Sequence, residues 1–116
     1  MVIDDDESIR ELVKLHLRNA GYEVLVAEDA VIAGHLVVDT PPDLIIVDVN
    51  MPYMSGYEFV AALKADPATR HIPVVFLTVN EDVAQRAKQL GAVAYLKKPV
   101  TADKLLDVVR FFASAK

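Results

Sequence analysis

The 116-residue chain has no cysteine and no tryptophan, only four glycines, and aromatic residues at just 7%. Without cysteine there can be no disulfide framework, no thiolate metal cage and no cysteine nucleophile. Any chemistry therefore falls to oxygen, amine or imidazole groups, and a reducing compartment suits the chain. Long apolar runs are missing too. The apolar runs, such as residues 44–47 and 74–77, are far too short to cross a bilayer, and no charged segment leads into an apolar signal core. A cytoplasmic location and no membrane partner are expected. Gly21, Gly34, Gly56 and Gly91 match no glycine-rich phosphate loop, which argues against a nucleotide-binding enzyme.

What is present suffices for one core: 53% of residues are hydrophobic and 25% charged, in a length typical of a single domain. The net charge of −5 is unevenly spread. Residues 1–58 hold twelve acids against Arg10, Lys14 and Arg18, whereas residues 86–116 hold seven bases against Asp103 and Asp107. Phosphate contacts need a basic face, and the basic last third lacks interleaved aromatics, so no direct nucleic-acid role is expected.

Turn and cap signals divide the chain at a steady rhythm. Apolar runs at 1–3, 24–27, 44–47, 74–77 and 94–96 read as strands. Helical spacing occupies 7–19, 29–39, 57–65, 81–90 and 102–113, with Pro41, Pro42, Pro67 and Gly91 as stops. Five strands alternating with five helices predict parallel pairing and right-handed crossovers, hence an α/β, doubly wound five-stranded sheet. In such a sheet, ligands gather beyond the carboxyl ends of the strands.

Those ends carry the chemistry. Asp4, Asp5 and Asp6 follow the first strand, Asp48 the third, Thr78 the fourth, and Lys97, Lys98 and Pro99 the fifth. Converging carboxylates repel one another unless a cation joins them, and oxygen ligands without cysteine or clustered histidine point to magnesium. Asp48 follows the rigid run Leu44-Ile45-Ile46-Val47, so its carboxylate is held at the sheet edge rather than on a loop tip. A lone strand-end acid usually serves a neighbouring turn, but company at the other strand ends reverses that reading. His16, His35 and His71 sit on different elements without ligand spacing and read as packing or surface groups.

Four strings carry a family resemblance: Val2-Ile3-Asp4-Asp5-Asp6-Glu7-Ser8-Ile9-Arg10; Val47-Asp48-Val49-Asn50-Met51-Pro52-Tyr53-Met54-Ser55-Gly56; Pro73-Val74-Val75-Phe76-Leu77-Thr78; and Gly91-Ala92-Val93-Ala94-Tyr95-Leu96-Lys97-Lys98-Pro99. In this order and spacing they closely resemble bacterial two-component response-regulator receiver domains, typified by the chemotaxis regulator, over essentially the whole chain. The resemblance implies a flavodoxin-like (βα)5 fold with strand order 2-1-3-4-5, and one receiver domain over residues 1–116 with no output domain visible. It also implies a phosphorylation switch in which Asp48 accepts a phosphoryl group from a sensor histidine kinase or phosphotransfer protein.

By the same resemblance Asp5 and Asp48 would contact Mg2+ directly, Asp4 through water and Asn50 through its backbone carbonyl, with Mn2+ a substitute. Lys98 would pair with phosphoryl oxygens, while Thr78 and Tyr95 would be switch residues. The chemistry agrees: an ionised carboxylate is already a nucleophile, so the task reduces to positioning and charge neutralisation. Surplus apolar groups Leu106 and Phe111, with Tyr95 and the basic last third, suggest a surface of the fourth helix, fifth strand and fifth helix. It would serve an output protein, a missing output domain or a homodimer. Val79, larger than the residue many receivers carry there, would narrow access to Asp48, and Asn50 and Asn80 stand where loss of the phosphoryl group is tuned.

Two rivals remain. A Mg-dependent phosphatase with an aspartyl-phosphate intermediate would want an acid two residues after the nucleophile, where this chain has Asn50. A phosphate-independent interaction module would have no need of the full set of acids, Thr78 and Lys98. The chain is therefore read as a switch and not a turnover enzyme.

Overall fold

The computed structural model describes residues 1–113. Strand β1 (Val2–Ile3) leads into α1 (Glu7–Asn19), followed by β2 (Val26–Ala27), α2 (Ala30–Asp39), β3 (Ile45–Val47), α3 (Gly56–Ala65), β4 (Val74–Thr78), α4 (Val83–Leu90), β5 (Ala94–Lys97) and α5 (Ala102–Ala113). The strands form one parallel sheet in the order β2-β1-β3-β4-β5, the expected order.

Period-2 alternation in the strands sorts the core into two layers. Ile3, Ile45, Val47, Val74 and Phe76 face one side, where Ala33 and Val37 of α2, Phe59, Val60 and Leu63 of α3, and Val83 and Ala87 of α4 cover them. Val2, Ile46, Val75 and Leu77 face the other, under Val13 and Leu17 of α1 and Leu105 and Val109 of α5. Strands covered on both faces explain the uninterrupted apolar runs. Leu106, read from the sequence as surplus, is half-buried against this second layer, whereas Phe111 is exposed.

The element ends shift for local reasons. Asp29 precedes α2 as its cap, accepting from the Ile32 N–H at 2.9 Å. Helix α3 begins at Gly56, because Ser55 and Glu58 form a reciprocal capping box in front of it. Strand β2 is shorter than expected, because the register pairs Val2 with Val26 and leaves Val24 ahead of the paired stretch. Strands β4 and β5 each run one residue further, since Thr78 pairs with Lys97. Helix α4 starts at Val83 rather than 81, since residues 81 and 82 form a turn.

Phe76 is fully buried in the centre of β4, with its ring edge-on to Tyr57 at 5.2 Å. Phe76→Ala should cost roughly 3–5 kcal/mol of unfolding free energy, read from urea denaturation.

Candidate functional site

The register that stacks the core also assembles the site. Ile3 is paired with Val47 on adjacent central strands, so the residues that follow, Asp4 and Asp48, leave the sheet side by side. Backbone bonds fix both: Asp48 N–H donates to the Ile3 carbonyl at 2.9 Å and Asp4 N–H to that of Ala27 at 3.2 Å. Lys98, beyond β5, is held by its N–H to the Thr78 carbonyl at 3.0 Å, and its peptide bond to Pro99 is cis.

The Lys98 ammonium lies 2.9 Å from Asp4 Oδ2 and donates to Asp48 Oδ2 at 3.1 Å. Asp48 Oδ1 accepts from the N–H groups of Val49 at 2.7 Å and Asn50 at 3.4 Å. Asp4 Oδ1 accepts from Asp6 N–H at 2.9 Å. Asp4 Oδ2 is buried and accepts no well-directed hydrogen bond; its contact with Lys98 is an ion pair by distance alone. Asp4, Asp5 and Asp48 each bring one carboxylate oxygen within 4.8 Å of the others; Asp4 and Asp48 are buried and Asp5 exposed.

Three carboxylates thus face one ammonium. Burial pushes the Asp4 carboxyl above its ordinary range; Lys98 and the Asp6 N–H oppose this, and the Asp48 charge adds to it. For Lys98, burial acts downward, but its contacts with the Asp4 and Asp48 carboxylates outweigh it and leave the ammonium raised. The surplus negative charge, the hard oxygen donors and the undonated Asp4 oxygen fit a small divalent cation such as Mg2+, with one exposed ligand offering a route in.

The other sequence candidates lie around this core. Thr78 is fully buried, its Oγ1 accepting from Asn80 N–H at 3.2 Å. The Asn50 and Asn80 side-chain amides bond reciprocally, at 2.7 and 3.3 Å, and join the β3–α3 and β4–α4 loops. Tyr95 is 43% exposed on β5. Two residues grouped with the site leave it: Asp6 caps α1 through Ser8 N–H at 2.9 Å, and Lys97 turns to the Asn80 carbonyl at 2.9 Å and to Glu81. Val79 is exposed.

Sequence reasoning missed three supports. Gly56 rests on the Asp48 backbone, where a Cβ would lie 2.1 Å from the Asp48 carbonyl oxygen. Its place downstream of Met51-Pro52 was the available signal. Arg10 Nη1 donates to the Asp4 carbonyl at 2.8 Å. Tyr57 donates its hydroxyl to Asp82 Oδ1 at 2.8 Å beneath the Arg86 guanidinium; burial, then the Asp82 carboxylate, pushes that hydroxyl up to about 12.

This constellation gathers aspartates and one lysine at the carboxyl edge of a β2-β1-β3-β4-β5 sheet. Residues 1–110 match the response regulator receiver domain family, and the chain belongs to that family. It is 38% identical over 108 residues to the phosphate regulon transcriptional regulatory protein PhoB of Pseudomonas aeruginosa, covering 91% of this chain and 47% of PhoB. It is 34% identical to Protein PilG of the same organism, covering 95% of this chain and 83% of PilG. Thus it spans about half of PhoB but most of PilG. Among solved structures, the Vibrio cholerae chemotaxis protein CheY4 superposes with a TM-score of 0.88 at 36% identity, covering 96% of this chain and 94% of that one. The receiver domain of NtrX from Brucella abortus gives 0.90 at 28% identity, covering 99% and 98%. Among the described residues no helix is long and apolar enough to cross a membrane.

Gly56→Ala must displace backbone against the Asp48 carbonyl, and should lower stability by roughly 1–3 kcal/mol in urea titrations. Ionising Asp4 in the metal-free protein opposes folding. The penalty is absent below the ordinary carboxyl pKa and complete once pH exceeds the raised one. In a chelator, Asp4→Asn should therefore gain stability relative to wild type as pH rises above the ordinary carboxyl pKa of about 4, checked by thermal melts at stepped pH.

Proposed function

We propose that this receiver domain is a phosphorylation switch whose acceptor is Asp48, supplied by a sensor histidine kinase or phosphotransfer protein. The observation that supports this best is the Lys98 ammonium held between the Asp4 and Asp48 carboxylates at adjacent strand ends. A carboxylate oxygen of Asp48 attacks phosphorus, the bond from phosphorus to the donor nitrogen breaks, and the electron pair leaves with the imidazole. No general base is required, because a carboxylate is itself a nucleophile.

Lys98 pairs with Asp48 before transfer and is placed to follow the new charge onto a phosphoryl oxygen afterwards. Asp5 and Asp48 would hold Mg2+ directly, Asp4 through water and Asn50 by its backbone carbonyl, with Mn2+ able to substitute. When bound, the ion would supply charge neutralisation for the carboxylates and the incoming phosphoryl group. Thr78 turns its hydroxyl from the Asn80 amide to the phosphoryl group, the β4–α4 loop closes, and Tyr95 packs inward. The altered α4, β5 and α5 surface then engages an output protein, an attached output domain or a second copy.

Catalysis extends only to the domain's own phosphorylation and dephosphorylation. Position 50, where a phosphatase would carry its acid, is an asparagine whose amide is bonded to Asn80. We place the protein in the cytoplasm, acting as a single receiver unit over this chain.

Incubation with acetyl phosphate and Mg2+, followed by intact mass, should give a slowly fading single-phosphoryl adduct on wild type and none on Asp48→Asn. Sustained release of inorganic phosphate over many turnovers would instead identify a phosphatase, and no adduct on either protein would leave a phosphate-independent interaction module.

A further inference from the structure

Four helices begin on a side chain that accepts from their first-turn amides: Asp6 for α1, Asp29 for α2, Ser55 for α3, and Thr101 for α5, whose Oγ1 takes the Lys104 N–H at 3.3 Å. Helix α4 differs. Asp82 stands at its N-cap but makes no capping bond, and its backbone, at φ −83° and ψ 2°, lies outside the extended region that the caps of α1, α2 and α3 adopt. Its carboxylate is occupied instead by the Tyr57 hydroxyl.

Tyr57 is firmly seated. It follows Gly56, which abuts the Asp48 carbonyl; its ring lies edge-on to Phe76; and Arg86 of α4 sits over its face at 4.8 Å. Asp82, by contrast, belongs to the loop that carries Asn80, whose N–H is bonded to the Thr78 hydroxyl. The β4–α4 loop is therefore tied to Tyr57 of α3 at this hydroxyl–carboxylate bond, and to the β3–α3 loop at the Asn50–Asn80 amides.

We propose that Tyr57 is a positioning residue for α4: its hydroxyl holds the Asp82 carboxylate off the helix N-terminus, and release of that bond lets Asp82 turn extended and cap α4. The phosphoryl-bearing form is the released form, a clause that rests on the function proposed above. Movement of the Thr78 hydroxyl carries residues 80–82 with it while Tyr57 stays fixed by α3.

Native-state amide exchange tests this in the metal-free, unphosphorylated protein. Tyr57→Phe keeps the ring and removes only the hydroxyl. The Ala84 and Gln85 amides should then exchange ~fivefold more slowly, the equilibrium equivalent of one N-cap. Asp82→Ala should give no such protection, and the double variant should follow Asp82→Ala. A purely structural role for Tyr57 would speed exchange in Tyr57→Phe, and either faster or unchanged exchange there overturns the proposal. In wild type treated with acetyl phosphate and Mg2+, the same two amides should slow once the mass adduct is seen. An adduct without that slowing removes the link to phosphorylation. Absence of an adduct counts against the Asp48 reading alone, and the Tyr57→Phe comparison still decides the role of Tyr57.

Discussion

The ammonium of Lys98, lodged between two buried carboxylates, is the interaction on which the rest depends. Asp4 and Asp48 emerge from neighbouring central strands with little solvent around them, and alone they would repel at short range. A single cation from a residue fifty positions along the chain from Asp48 makes the arrangement tolerable. Removing that ammonium would leave two buried carboxylates without their counter-charge, which is far costlier than never having built the set. The sheet order, the paired register of β1 with β3 and the exit of β5 beside Thr78 all serve to bring that ammonium to its place.

One ammonium does not finish the neutralisation. The remaining negative charge, with one Asp4 oxygen lacking a directed donor, gives the site an appetite for further positive charge. The exposed Asp5 differs from its two neighbours in that it can meet an arriving hydrated ion. Two buried carboxylates inside and a solvated one outside would let a cation join or leave this edge without unfolding the strands that build it.

Much of this was legible in the chain. The alternation of apolar runs and helical spacing gave the layered sheet because both depend on short-range pattern, and Asp48 after four buried aliphatics could hardly point anywhere but the sheet edge. Side-chain partners were less legible. Asp6 looks like its neighbours Asp4 and Asp5, yet one residue's advance moves it to the helix start, where free amides compete for it. Lys97 ends β5 and turns to the Asn80 carbonyl, whereas Lys98, one residue beyond the strand, enters the acidic cup. The Tyr57–Asp82 bond joins α3 to α4 across positions that no local periodicity relates. Gly56 was visible as a turn signal, but its contact with the Asp48 carbonyl is a tertiary fact.

That contact has a mechanical meaning. With the Gly56 backbone pressed against its carbonyl, Asp48 has an anvil behind it and no room to recoil. A load on its carboxylate would meet packed backbone on this side, leaving the loops that ring the strand ends as the parts free to yield.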